Sequence, residues 1–175
     1  DVNSIWGACN HNLVTVDVDF DGKDEILSGP MAIDHDGSDM YAVKVYDNDG
    51  NAQKLAHGDA FDVAKTDPDF NGYMTWACHE TSQLMANIEY HDARTGEVQW
   101  GYSKNKDTGR SRSADIDPTH KGFEVWGSTA TIPANISGEN IADTWNGFKF
   151  RKLDGTVDSD ATIPMNFKVY WDGDL

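Results

Sequence analysis

An acidic phrase returns along this chain at nearly constant spacing. It reads Asp17-Val18-Asp19-Phe20-Asp21-Gly22-Lys23-Asp24-Glu25, then Asp67-Pro68-Asp69-Phe70-Asn71-Gly72, then Asp115-Ile116-Asp117-Pro118 running on to Gly122-Phe123-Glu124. Aligning Asp19, Asp67 and Asp117 gives steps of 48 and 50 residues. A second phrase, a glycine turn leading into a strand-like run, sets Gly37, Gly96 and Gly155 each 59 residues apart. Two phrases that alternate at such distances define a repeated supersecondary unit, and a period of ~40–50 residues is that of a four-stranded propeller blade. The expected fold is therefore all-β, with about three to four β-propeller blades over residues 1–175 and no internal domain boundary. A closed wheel has about four to eight blades. This one is expected to be open and partial, its remaining blades supplied by the same or a companion chain.

The local patterns agree. Leu13–Val18, Met40–Tyr46, Met74–Cys78, Val98–Tyr102, Phe123–Trp126, Phe148–Lys152 and Phe167–Trp171 are short β-type runs bounded by Gly, Asp, Asn or Pro. Val43–Leu55, centred on Asp47-Asn48-Asp49-Gly50, reads as an inserted hairpin, and residues 131–146 read as a long loop. Plausible helical stretches are brief, such as Glu80–Glu89. Cys9 and Cys78 are the only cysteines, and their spacing leaves both pairing and free thiols open.

The net charge is −16, from 30 acids against 14 bases, and 24 of those acids are Asp. Asp favours turns and short cation-binding loops over helical surfaces. Nucleic acid is excluded as a partner, because phosphate binding needs clustered Lys and Arg. No apolar run approaches the ~20 residues of a membrane helix. Divalent metal binding and simple solubility are equally compatible with this charge.

In the first acidic loop, Asp17, Asp19 and Asp21 alternate before Gly22, and Asp24 and Glu25 follow. Calcium takes about six to eight oxygens, and such an alternation wraps a single ion. Asp115, Asp117 and Glu124 form a second candidate loop. The middle copy is degraded: Lys65 stands at the place of the first Asp, and Met74 at the place of Glu124. A plain Asp-Gly turn is the competing reading for all three.

Histidines and carboxylates also fall near strand edges, in Asn10-His11-Asn12, His57-Gly58-Asp59 and His79-Glu80. If equivalent edges of successive blades converge, His11, His57, Asp59 and Glu80 meet around one cation. Spacing alone favours three unconnected surface or core histidines.

Taken in order with Asp92-Ala93-Arg94-Thr95-Gly96-Glu97, Gly109-Arg110, Glu124-Val125-Trp126 and Trp171-Asp172-Gly173-Asp174-Leu175, these phrases resemble the rhamnogalacturonan lyases of polysaccharide lyase family eleven. The resemblance runs over almost the whole chain. It implies a secreted, calcium-dependent (Ca2+) enzyme built on an eight-bladed propeller. Such an enzyme cleaves the rhamnose–galacturonate bond of the pectin backbone, rhamnogalacturonan I, by β-elimination. It further implies that His11, His57, Asp59 and Glu80 hold calcium in a central cleft, with Arg110 a cleft arginine. Arg110, Glu80 and His57 are then the catalytic candidates, and the identity of the base stays open. The chain departs from the family at Met74, in the length of Val43–Leu55 and at Ser111-Arg112-Ser113. A cleft lysine of the family matches no residue here and is expected beyond Leu175. The alternative is a non-catalytic calcium-binding propeller module that binds pectic polysaccharide or a protein partner.

Overall fold

The computed structural model describes residues 9–47, 49–80, 86–102, 107–116, 120–127 and 134–139. The expected runs at Phe148–Lys152 and Phe167–Trp171, along with Gly155 and Asp117, lie outside these residues. The described chain is all β. A first antiparallel sheet runs β1 (Val14–Val16), β2 (Glu25–Leu27), β3 (Met31–Ile33) and β4 (Asp39–Ala42), each strand beside the next. The hairpin β5 (Lys44–Tyr46) and β6 (Ala52–Lys54) follows, as Asp47–Gly50 requires. A second four-stranded meander comprises β7 (Phe61–Ala64), β8 (Met74–Cys78), β9 (Ile88–Asp92) and β10 (Val98–Tyr102). Strands β11 (Ser111–Ala114) and β12 (Glu124–Gly127) form a further antiparallel pair.

The two repeated phrases occupy equivalent places. Each acidic phrase joins the first strand of a unit to its second, between β1 and β2, β7 and β8, and β11 and β12. The glycine phrases at Gly37 and Gly96 each turn the third strand of a unit into the fourth. Gly37 and Gly96 adopt φ of 88° and 72°, a region open to glycine, and each N–H closes its turn on Asp34 or Asp92 at 2.9 Å. The registers agree as well: Val16 faces Glu25, Ala64 faces Met74 and Ala114 faces Glu124. Met74 thus stands where the flanking units place a glutamate.

Packing joins one unit to the next. Val18, Leu27 and Ala32 meet Phe61, Ala77 and Ala93 between the first and second sheets. Met74, Trp76, Ile88 and Tyr90 meet Val125 and Ala134 on the other face of the second sheet. Trp76 donates its indole N–H to the Trp126 carbonyl at 3.0 Å, which satisfies its only polar atom across that seam.

Some expectations need correction. Glu80–Glu89 is not a helix where it is described, because Ile88 and Glu89 belong to β9, a strand buried on both faces. Met40–Tyr46 is broken at Val43 into β4 and β5, since Val43 turns into the core of the inserted hairpin with Val45 and Leu55. Cys9 and Cys78 are both free thiols, one exposed and one buried. No helix among the described residues is long and apolar enough to cross a membrane.

Candidate metal centre

The segments that lead into the first strands lie side by side. Asn10 and Gly58 form a parallel bridge ahead of β1 and β7, and Ser111, opening β11, donates its hydroxyl to the Ala60 carbonyl at 2.9 Å. These segments carry His11, His57 with Asp59, and Arg110. Glu80 lies just past the end of β8, and its backbone N–H donates to the His57 carbonyl at 2.8 Å. Gly58 is required by this crowding, because a Cβ there would stand 1.7 Å from the Cys78 carbonyl oxygen.

The result is one cluster. His11, His57, Asp59 and Glu80 each offer a ligand atom, and all four atoms lie within 4.8 Å of one another. The two imidazole Nε2 atoms are 3.2 Å apart. His11 Nε2 is 3.3 Å from Asp59 Oδ1, and His57 Nε2 is 4.0 Å from Glu80 Oε1. His57 Nδ1 faces the Cys9 carbonyl, which only accepts, so Nδ1 carries the proton and Nε2 presents a lone pair to the cluster. A backbone carbonyl that fixes the tautomer in this way is the usual support of a ligating histidine. Two nitrogens and two carboxylates around a common point fit a divalent cation, though imidazole is an uncommon partner for calcium, which prefers oxygen.

Arg110 donates from Nη1 to the other oxygen of Asp59 at 2.9 Å. Arg110 and Arg112 line an open cavity of about 360 Å³ with His11, Asn12, Asp59 and Ala60. The sequence reading overlooked Arg112. Period-two alternation carries the signal, since residues 110 and 112 share one face at the start of β11.

The acidic loops sit at the opposite ends of these strand pairs. In the first, Asp17, Asp19 and Glu25 come together, as do Asp21, Glu25 and His35. Asp24 is exposed and belongs to neither group. His35 was not foreseen. It comes from the β3–β4 turn, where Nδ1 lies 3.6 Å from Asp21 Oδ2 and also contacts Asp34. Asp17 and Asp19 accept backbone N–H bonds from Asp21 and Gly22 at 3.0–3.1 Å, as a bare turn would also arrange. Glu25 exceeds the needs of a turn. It is fully buried, Oε2 accepts from the Val18 N–H at 2.8 Å, and Oε1 has no hydrogen-bond partner. Burial raises its pKa; the Val18 bond opposes this, and repulsion from Asp19, Asp17 and Asp21 adds to the rise. Glu124 repeats the arrangement, buried and accepting from the Ile116 N–H at 3.0 Å. Asp115 is exposed beside it. The third loop is thus described only in part.

In the middle loop, Asp67 caps its own turn by accepting from Asp69 N–H at 2.8 Å. Lys65 reaches away, with its ammonium 5.3 Å from the Phe20 ring centroid and 5.1 Å from that of Tyr73.

A family model described as "Rhamnogalacturonan lyase family 11, C-terminal domain" matches residues 1–175. Over 169 residues the chain is 37% identical to the rhamnogalacturonan endolyase YesW and 38% identical to the rhamnogalacturonan exolyase YesX, both of Bacillus subtilis (strain 168). That stretch is 97% of this chain but 23% and 24% of those proteins, so the chain spans about a quarter of the length of the curated relatives it matches. The solved structure of YesW superimposes with a TM-score of 0.68 at 40% identity, over 78% of this chain and 21% of that one. A rhamnogalacturonan lyase of Bacillus licheniformis gives a TM-score of 0.68 at 39% identity, over the same shares of the two chains.

Proposed function

Because the chain belongs to rhamnogalacturonan lyase family 11, we propose that it forms part of a secreted, calcium-dependent lyase. That enzyme cleaves the rhamnose–galacturonate bond of the pectin backbone by β-elimination. The four-stranded units are blades of a β-propeller, and the seam where their first strands converge is the wall of its central cleft. One observation carries the reading: His11, His57, Asp59 and Glu80 converge on a common point, with Arg110 held against Asp59.

The reaction removes a weakly acidic proton beside the uronate carboxylate, so negative charge builds toward an enolate. A divalent cation bound at the cluster supplies Lewis-acid stabilisation of that charge. His11, His57, Asp59 and Glu80 would hold it. Arg110 sits half-exposed beside the cluster and offers paired N–H donors to a sugar carboxylate. Its bond to Asp59 ties the guanidinium to the cavity that the two residues line. Local cation and arginine charge explain how a chain of net charge −16 holds an anionic polysaccharide. His57, with Nδ1 facing the Cys9 carbonyl, would serve as a ligand through Nε2. Glu25 and Glu124, at the far ends of the strands, would hold structural calcium, which would order the loops.

The test is the ultraviolet absorbance of unsaturated uronide released from rhamnogalacturonan by the full-length protein. Activity is expected to vanish in chelator and return with calcium. Arg110→Lys is expected to cost on the order of 10²-fold in kcat/KM, through lost two-point recognition. Polysaccharide binding without product would replace the lyase with a calcium-binding module that recognises pectic polysaccharide or a protein, whereas full activity in Glu80→Ala and Arg110→Ala would keep the lyase and remove this cluster as its catalytic centre.

A further inference from the structure

Behind the cluster lies a set of ionisable groups with no access to substrate. His79, Glu89 and His91 are all fully buried. Glu89 Oε1 is 3.3 Å from His79 Nε2, and Glu89 Oε2 is 2.7 Å from His91 Nδ1. His91 Nε2 in turn faces the Tyr41 hydroxyl of the first sheet at 3.5 Å, and Tyr41 donates to the Ala93 carbonyl at 2.7 Å. Across the sheet Glu89 is flanked by Ala77 on β8 and Gly101 on β10, which leave room for its side chain. Burial alone would raise the Glu89 pKa, but the charge of His91 and the hydrogen bonds from both imidazoles outweigh it and hold the carboxylate low.

Three buried ionisable groups are a costly way to fill a sheet face that apolar residues would fill well. What they hold is informative. His79 Nδ1 donates to the Ala56 carbonyl at 2.9 Å, one residue before His57. The His79 carbonyl accepts from the Thr108 N–H at 3.2 Å, two residues before Arg110. Glu80, the next residue along, presents the fourth ligand. His79 therefore ties together the segments that carry His57, Glu80 and Arg110, and Glu89 is what fixes the His79 ring.

We propose that Glu89 is the positioning residue of the cation cluster, acting through His79, with His91 and Tyr41 anchoring it to the first sheet. The proposal rests on the reading of the cluster as a cation site. Glu89 touches neither cation nor substrate. It sets the separation of the ligands, as outer-sphere groups do in metal centres, where losing one weakens metal binding by about 10–100-fold.

The experiment is calorimetric titration of the metal-stripped full-length protein with calcium and with manganese. The cluster is identified as the binding event that His11→Ala removes. Glu89→Gln should weaken that event by about 10–100-fold, while calcium binding that depends on Glu25, at the far strand ends, stays as it was. A second pair of variants separates positioning from general core damage. An asparagine amide can occupy the place of His79 Nδ1, so His79→Asn keeps the bond to Ala56 and loses the tie to Glu89. His79→Gln does the reverse. Both should weaken the cluster event by at least about tenfold, because the chain of contacts is cut in each. An unchanged cluster affinity in Glu89→Gln overturns the positioning role and leaves the cation site standing. If Glu89→Gln does not fold, His79→Asn decides, and undiminished affinity there overturns the proposal. If the parent protein shows no event sensitive to His11→Ala, the cation reading falls first and the positioning role falls with it.

Discussion

Glu25→Gln should make the protein more stable without calcium and less stable with it. Glu25 is fully buried, and one of its oxygens has no hydrogen-bond partner. The imidazole nitrogen His35 Nδ1 lies 3.9 Å from it, beyond hydrogen-bond reach, while Asp17, Asp19 and Asp21 crowd the same loop. An unsatisfied buried acceptor costs about 1–3 kcal/mol, and more when it is charged. In glutamine the amide oxygen keeps the Val18 bond, and the NH2 group replaces the orphaned oxygen and donates to the neighbouring aspartates. The cation-free state should gain about 2 kcal/mol, or about 4–8 °C in Tm for a chain of this size. Calcium at a hundredfold excess over Kd stabilises a folded site by about 2.7 kcal/mol, and the neutral amide forfeits much of this. Thermal unfolding followed by circular dichroism, in chelator and in saturating calcium, should therefore rank the two proteins in opposite orders. The pH dependence has a definite sign. Burial, with repulsion from the aspartates, raises the folded pKa of Glu25 despite the Val18 bond, so the folded state binds this proton more tightly than the unfolded one. Cation-free stability from this group is fully present below the unfolded pKa and is lost as pH rises through the folded pKa. Calcium needs the ionised carboxylate, so the calcium increment grows across the same window. Both slopes should flatten in Glu25→Gln. A variant less stable than the parent in chelator would refute the uncompensated charge, and an unchanged calcium increment would refute the ligand role.

Three further outcomes are expected. Met74→Glu, which restores the repeat, should destabilise by about 2–4 kcal/mol in chemical denaturation, because the carboxylate enters a cluster with Trp76 and Tyr90; with Lys65 in place of the first aspartate it should create no new calcium event. Gly58→Ala should cost ~3 kcal/mol or more by driving a methyl into the Cys78 carbonyl, and should weaken cation binding at the cluster, since Gly58 lies between His57 and Asp59. A thiol reagent should modify Cys9 alone in the native protein, with Cys78 reacting only on unfolding, because Cys78 is buried and burial raises its thiol pKa; mass spectrometry after native labelling and proteolysis reads this directly.

The repeat was legible because its two phrases are turn chemistry, and turns depend on local residues. Gly37 and Gly96 mark equivalent turns, and the acidic phrase marks the link between first and second strands. Strands without such punctuation were harder to see. β9 reads Ile88-Glu89-Tyr90-His91-Asp92, and its charged residues hide a strand buried on both faces; only the partners His79 and Tyr41, distant in sequence, make that burial tolerable. The four cluster residues were foreseen as strand-edge groups, but their convergence needed the Asn10–Gly58 bridge, which no local pattern announces. His35 was missed for the same reason, since it owes its place beside Asp21 to an adjacent turn rather than to its own neighbours in sequence; Arg112 was missed although its alternation with Arg110 carried the signal.

The middle unit shows how the two ends of the strands divide their work. It supplies three of the four cluster ligands, His57, Asp59 and Glu80. It is also the unit whose acidic loop has lost its buried glutamate, with Met74 in that place. Its order must come from elsewhere, and two sources are present. Trp76, Tyr90 and Trp100 pack with ring centroids 5.1 and 5.2 Å apart, and Glu89 clamps β9 to the end of β8 through His79. Neither source depends on a cation. The flanking units, which carry His11 and Arg110, instead have buried Glu25 and Glu124 at their loops. If Glu25 and Glu124 hold calcium as proposed, its loss should loosen His11 and Arg110 before it disturbs His57, Asp59 and Glu80, leaving a partial cluster on a rigid centre. Refilling the loops would then complete the site by bringing the outer units back against it.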